Sequence, residues 1–221
     1  MKKKTSQELF NIFYGKGYNN LYEGFSGYLF RYAHRKLEDF VPDGKKNILE
    51  IGPGRYPHYD YINENNISKY TLFEKNISNI KYLKKKFIRN KKVKIIKSLK
   101  KNINFDRIIL SHVLEHIYNP EEFLDSIFKK LKKGGYLSIT LPCDPGLSWD
   151  FGREVTYYKF WRKHKVLKNE YYYHMSKEHV NSVRNLRRII NYKYENTLEQ
   201  FLPLKIPSYN FNLFYNVTIK K

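Results

Sequence analysis

The sequence predicts an α/β fold: a mainly parallel sheet with helices packed on its faces. Three observations carry that expectation. Short apolar stretches alternate with amphipathic ones between Asn47 and Pro142. A turn with two glycines, Gly52-Pro53-Gly54, directly follows the first apolar stretch. A helix-then-strand unit, "NPEEFLDSIFKKLKKGGYLSITLP", closes the run. Such alternation implies a parallel sheet, because each parallel pair needs a long crossover, usually a helix.

The elements follow in order. Residues 6–40 read as helical, and from Ser26 the apolar positions Tyr28, Leu29, Tyr32, Ala33, Leu37 and Phe40 recur near a helical period. Pro42-Asp43-Gly44 ends that stretch. "NILEI" (Asn47–Ile51) is the first strand, "KYTLFE" (69–74) the second and "KVKIIKS" (92–98) the third, with a helix over 77–87 before the third. "FDRIILS" (Phe105–Ser111) is the fourth and "GYLSITLP" (135–142) the fifth. The helix before the fifth strand has Asn119 as N-cap, Pro120 at N1 and Glu122 at N3, a capping-box-like arrangement. Phe123, Leu124, Ile127, Phe128 and Leu131 line one face, lysines gather at the C-terminal end, and Gly134 is the expected stop. From Cys143 to Tyr173 the periodicity is lost, and aromatic and basic residues crowd together. Ser176 is expected to cap a further helix carrying Val180, Val183, Leu186, Ile189 and Ile190, and "NFNLFYNVTIKK" reads as a closing strand.

Bulk properties bound the rest. A chain of 221 residues suits one domain. A content of 41% hydrophobic and 17% aromatic residues can bury a core. The net charge of +21 suits acidic partners such as nucleic acid, a membrane surface or a phosphorylated substrate. The lysines are spread along the whole chain, however, and Asn, Ile, Tyr and Phe are abundant too, so compositional bias is the simpler reading. Cys143 is the only cysteine, which excludes an internal disulfide and fits a reducing compartment. The lysines at the start precede no apolar segment, so no secretory signal is expected. No apolar run nears the ~20 residues of a membrane span. The expectation is a cytoplasmic protein without a transmembrane segment, its charge still compatible with peripheral membrane contact.

A glycine turn after the first strand lies at the carboxyl edge of a parallel sheet, where ligands bind. A P-loop would need Gly-Lys-Ser/Thr, but Arg55 and Tyr56 follow Gly54. A dinucleotide fingerprint would need a third glycine where Pro57 stands. S-adenosylmethionine (SAM) needs close backbone approach but no phosphate cradle. Glu74 ends the second strand twenty positions after Gly54 (74 − 54), the separation at which a nucleotide fold places its ribose acid.

"ILEIGPG", "YTLFEKN" and "FDRIILSHVLEHIYNPEEFLDSIFKKLKKGGYLSITLP" together resemble the successive motifs of class I SAM-dependent methyltransferases, in the branch called type 11 or type 12. The resemblance covers roughly residues 46–142 and the final strand. It implies a Rossmann-like seven-stranded sheet of order 3-2-1-4-5-7-6 with the last strand antiparallel, and N-terminal helices over the cofactor edge. It also implies that Glu50, Gly52 and Gly54 shape the methionine end of a SAM pocket, that Glu74 holds the ribose, and that Ser111 and His112 lie beside the cofactor. Two positions depart from the pattern. Tyr56 replaces a small residue, and Ser98 and Leu99 stand where an acid often meets the adenine.

The division expected is one methyltransferase domain over 1–221: a helical cap (1–45), a SAM-binding core (46–142), an acceptor-side insertion with its helix (143–192) and closing strands (193–221). Methyl transfer from a sulfonium is an in-line displacement that alignment can largely catalyse, with a base for an amine or hydroxyl acceptor. His116 and His179 are the candidate bases, with packing of its loop as the alternative role of His116 and a solvated surface histidine as that of His179. Asp144, Trp149, Arg153 and Tyr157, with Trp161, are the candidate acceptor contacts. Arg184, Arg187 and Arg188 suit a phosphate or a wet helix face. Some quinone O-methyltransferases of this type bind a metal through Glu-x-x-Glu-His; here His112 takes the first place before Glu115 and His116, and no metal is expected. The expected partner is a small acceptor, sugar or surface-polysaccharide precursor, with a phosphate on it compatible with the basic chain. An RNA methyltransferase and a non-catalytic SAM-binding subunit are the alternatives. No added RNA-binding module is visible, so no obligatory nucleic acid is expected.

Overall fold

The structure, a computed structural model, describes residues 3–13, 22–44, 46–99 and 103–221. Seven strands form one sheet: β1 (Asn47–Ile51), β2 (Lys69–Phe73), β3 (Val93–Ile96), β4 (Phe105–Ser111), β5 (Leu131–Pro142), β6 (Thr197–Leu202) and β7 (Phe214–Lys220). Their order is β3-β2-β1-β4-β5-β7-β6. Pairs from β3 to β5 are parallel, and β7 runs antiparallel to both its neighbours. This is the expected Rossmann-like sheet. β1 lies in the interior of the sheet, between β2 and β4, and buries both its faces: Leu49 and Ile51 enter one core and Ile48 the other.

The helices are α1 (Ser6–Ile12), α2 (Gly24–Glu38), α3 (Ile77–Lys86), α4 (Pro120–Phe128), α5 (Leu147–Lys159), α6 (Lys168–Glu178) and α7 (Val183–Lys193). Within the N-terminal helical stretch the described residues form α1 and α2, and residues 14–21 lie outside the described ones. α2 lays Ala33, His34 and Leu37 inward. The Asn216 side-chain amide donates to the Ala33 carbonyl at 2.9 Å, which fastens α2 across β7. α1 instead packs on α6 in a second core of Leu9, Tyr157, Phe160, Trp161, Val166, Tyr171 and Met175. The segment whose pattern looked irregular is therefore helical, with a small core of its own.

Two boundaries differ from the sequence reading. Asn119 is the N-cap of α4 as expected, though without a side-chain cap bond, Pro120 and Glu122 stand in the first turn and Leu124 and Ile127 face inward, but α4 ends at Phe128. Leu131 is already strand, paired with Phe105 and 2% exposed. Burying Leu131 in the sheet outweighs one more helical turn, and Gly134 (φ +71) serves the register shift of β5, not a helix stop. Ser176 lies inside α6; Ser182 caps α7 by accepting from Asn185 N. The chain breaks between them because residues 180, 181 and 183 hydrogen-bond elsewhere: Val180 and Asn181 N–H to the Glu115 carbonyl, Val183 N–H to the Asp144 carbonyl.

Candidate active site

The parallel strands bring the ends of β1, β2, β4 and β5 to one edge, and β7 begins there with Phe214 opposite Pro142. Gly52 and Gly54 turn at φ +64 and +58, in the left-handed region that favours glycine. A Cβ at Gly52 would stand 2.9 Å from Val113 Cγ2. Glu74 is 7% exposed and accepts from the N–H of Gly54 (3.1 Å), Lys75 (2.8 Å) and Asn76 (2.8 Å). A carboxylate offers about four acceptor positions, so roughly one is left for a ligand hydroxyl. Past β4, Ser111 Oγ and His112 Nε2 are buried with no partner among the described residues, as is Thr140 Oγ1 on β5. Phe30 of α2 packs beside His112, its ring 5.2 Å from that of His112 and 4.9 Å from that of Phe214. Tyr56, the bulky departure in the glycine turn, stacks on Tyr22 at 3.6 Å.

Glu50 has a supporting place. Its oxygens accept from His58 N–H (2.8 Å) and the Tyr70 hydroxyl (2.7 Å), so it holds the segment after the glycine turn. Burial pushes Glu50 up from 4.5 to about 7, against those two bonds. Its unfolded form therefore loses its proton first. Stability is unaffected below pH 4.5, falls as pH rises from 4.5 to about 7, and is constant above. Glu50→Gln, which keeps the neutral shape, should remove that fall, on the order of 3 kcal/mol. Melting curves at pH 5 and pH 8 check this; an unchanged difference between wild type and variant would overturn it.

Beneath lies a network that sequence reasoning missed. His34 Nδ1 meets His58 Nδ1 at 2.8 Å, His58 Nε2 donates to Glu38 Oε1 at 2.5 Å, and Arg107 Nη1 meets the same oxygen at 2.7 Å. Burial lowers both histidines, which fits two neutral rings with His34 donating to His58. The spacing His34-x-x-x-Glu38 on one helix face was the available signal.

On the acceptor side, Asp144 follows β5 and is 7% exposed. Its Oδ2 accepts from the Arg153 guanidinium of α5 and from His179 Nδ1 at 2.6 Å, where α6 ends. His116, in the short turn after β4, donates from Nδ1 to the Glu178 carbonyl at 2.6 Å, and its ring lies 5.0 Å from that of His179. Trp149 packs on Phe214 (6.0 Å) and His179 (6.4 Å). The expected residues Asp144, Trp149, Arg153, His116 and His179 thus meet. Tyr157 does not join them: it is 8% exposed in the small core, and its hydroxyl donates to the Val166 carbonyl. Its aromatic face stabilises the insertion instead. Arg187 pairs with Glu199, and Arg184 lies 5.6 Å over the Tyr209 ring. Glu115, between the two histidines of "SHVLEH", joins them in the structure, where it is 2% exposed. Burial pushes it up, but its bond to His112 and the charges of His116, His112 and His179 outweigh that and hold it at about 2.

Comparison with known proteins agrees with this geometry. The family described as "Methyltransferase domain" matches residues 25–198. Among solved structures, the plantazolicin methyltransferase BpumL in complex with SAH is similar over 98% of this chain and 95% of its own, at 13% identity and TM-score 0.64. The N-methyltransferase NodS from Bradyrhizobium japonicum WM9 in complex with SAH is similar over 98% and 97%, at 14% identity and TM-score 0.62. A SAM-dependent methyltransferase from Archaeoglobus fulgidus is similar over 87% and 94%, at 18% identity and TM-score 0.58. No curated protein matches the sequence. The residues fit SAM: a bare glycine turn in left-handed backbone, a buried carboxylate with room for a hydroxyl, and buried polar atoms without partners among the described residues along the same edge. With its match across most of its length, the chain belongs to the methyltransferase-domain family and is a class I SAM-dependent methyltransferase.

Proposed function

We propose that the chain moves the methyl group of SAM to an oxygen or nitrogen of a small acceptor seated between Trp149, Arg153 and the two histidines. The observation that carries this is Asp144, directly after β5, holding Arg153 and His179 together at the edge that carries Gly52 and Glu74. SAM supplies an electrophilic methyl on a sulfonium. The chain aligns the acceptor with it and excludes water, α2 and Phe30 forming the cover. His179 and His116 each commit Nδ1–H to a fixed acceptor, which leaves Nε2 as the lone pair available for the acceptor's proton.

A sugar hydroxyl, on a surface-polysaccharide precursor, is the acceptor we propose to test first. Arg153 suits a phosphate or carboxylate on it, and Trp149 offers a flat face. The second reading is a nitrogen acceptor. Asp144 and Glu115 suit a cationic amine, and NodS is an N-methyltransferase. In this reading residues 1–45 cap the site, 46–142 hold SAM, 143–192 hold the acceptor and 193–221 close the sheet. No helix among the described residues is long and apolar enough to cross a membrane.

Calorimetry with SAM, followed by transfer of labelled methyl to a panel of sugar nucleotides and amines, tests the proposal. Wild type should bind SAM, and Glu74→Ala should weaken binding by about 1.5–3 kcal/mol through loss of a charged acceptor. Absence of SAM binding by the wild type overturns the reading. SAM binding without transfer to any small acceptor would favour a non-catalytic subunit or an RNA substrate.

A further inference from the structure

We propose that Glu115, His116 and His179 form a binding site for a divalent transition-metal cation, Zn²⁺ first among them, on the acceptor face of the pocket. One ligand atom from each lies within 4.8 Å of the other two. Sequence spacing places only Glu115 and His116 side by side. The third ligand comes from the break after α6, which the fold alone brings there.

Four features of the cluster point to a cation. First, each imidazole is oriented as a ligating histidine is: Nδ1–H donates to a carbonyl or carboxylate, Nε2 keeps its lone pair. His116 uses the Glu178 carbonyl and His179 uses Asp144, both at 2.6 Å. Second, Glu115 Oε2 is buried with no partner among the described residues. Its Oε1 lies 3.5 Å from His112 Nδ1 and 3.9 Å from His116 Nε2. A buried carboxylate oxygen left unpaired is costly, and a cation would satisfy it. Third, the ligands are held without the ion. The Glu115 carbonyl accepts the N–H groups of Val180 and Asn181, which pins the turn after β4 to the segment carrying His179. Fourth, the local charge suits a cation in a chain of net +21. Arg153 is matched by Asp144, so with neutral histidines Glu115 leaves the cluster one negative charge in excess.

Two imidazoles and one carboxylate favour zinc-like metals over magnesium or calcium. Three protein ligands leave the fourth position open, as in catalytic zinc sites. With bonds of about 2.0–2.2 Å, tetrahedral ligand atoms sit roughly 3.4 Å apart, so side-chain shifts of about 1 Å would close the set. The proposal rests on reading this edge as the acceptor site and refines it. The open position would take an acceptor lone pair, and the two histidines would then serve as ligands.

The test uses the full chain without a histidine tag, stripped with a chelator and then titrated with Zn²⁺ in a calorimeter. SAM affinity is measured on every sample. Wild type should bind one Zn²⁺ per chain. Glu115→Gln, His116→Ala and His179→Ala should each weaken that binding by roughly a hundredfold or more, while His164→Ala leaves it unchanged. His179 is partly exposed, so its variant guards against misfolding of the buried Glu115 change. No stoichiometric Zn²⁺ binding, or binding that persists in all three variants, overturns the proposal. If SAM also fails to bind the wild type, the functional reading falls; if SAM binds and Zn²⁺ does not, only the metal site falls.

Discussion

Gly52→Val is expected to cut SAM affinity by about a hundredfold or more, the equivalent of roughly 3 kcal/mol. A β-branched residue at φ +64 is strained wherever it stands. Here its Cβ would also lie 2.9 Å from Val113 Cγ2. The strained turn or the Val113 side chain must shift, and a shift of the turn carries the Gly54 N–H away from Glu74, to which it donates at 3.1 Å. Cofactor surface and ribose acid are thus disturbed together. Gly44→Ala is the control. Gly44 sits at φ +91 with open space around an added Cβ, so it carries backbone strain without collision and should lower the melting temperature while leaving SAM affinity intact. Calorimetry on variants whose circular dichroism is native decides the matter; unchanged SAM affinity in folded Gly52→Val would remove this turn from the site.

The second large effect is on turnover. His179→Ala and His116→Ala, made singly, should each slow methyl transfer by about 10²–10⁴ and leave SAM affinity nearly unchanged. The split arises because both rings lie on the acceptor side, tied to Asp144 and to the Glu178 carbonyl, and neither bonds the glycine turn or Glu74. Turnover on the acceptor identified by the panel, measured beside SAM affinity, separates the outcomes. Undiminished turnover in both variants would make the histidines packing residues and leave alignment as the whole of catalysis.

The sequence by itself determined the sheet. The positions of β1 to β5 and of β7, and the carboxyl-edge location of Gly52, Gly54 and Glu74, follow from apolar stretches on a short period and from turn chemistry, which are local signals. The motif order added the full strand order. Tertiary structure alone decided three things. It ended α4 at Phe128, since burial of Leu131 against Phe105 outweighs the helical pattern that runs through it. It sorted the aromatic insertion into site and core, sending Trp149 to His179 and Tyr157 to a small core with Leu9 and Trp161. It also joined Asp144, Arg153 and His179 and set His116 and Glu115 against them, through hydrogen bonds between residues 35 and 62 positions apart. Nothing in the spacing of one sequence encodes such contacts. They arise only when the sheet has placed the ends of β4 and β5 side by side and the chain, after the last helical bond of α6 from His179 N–H to the Met175 carbonyl, turns its next N–H groups to the Glu115 and Asp144 carbonyls.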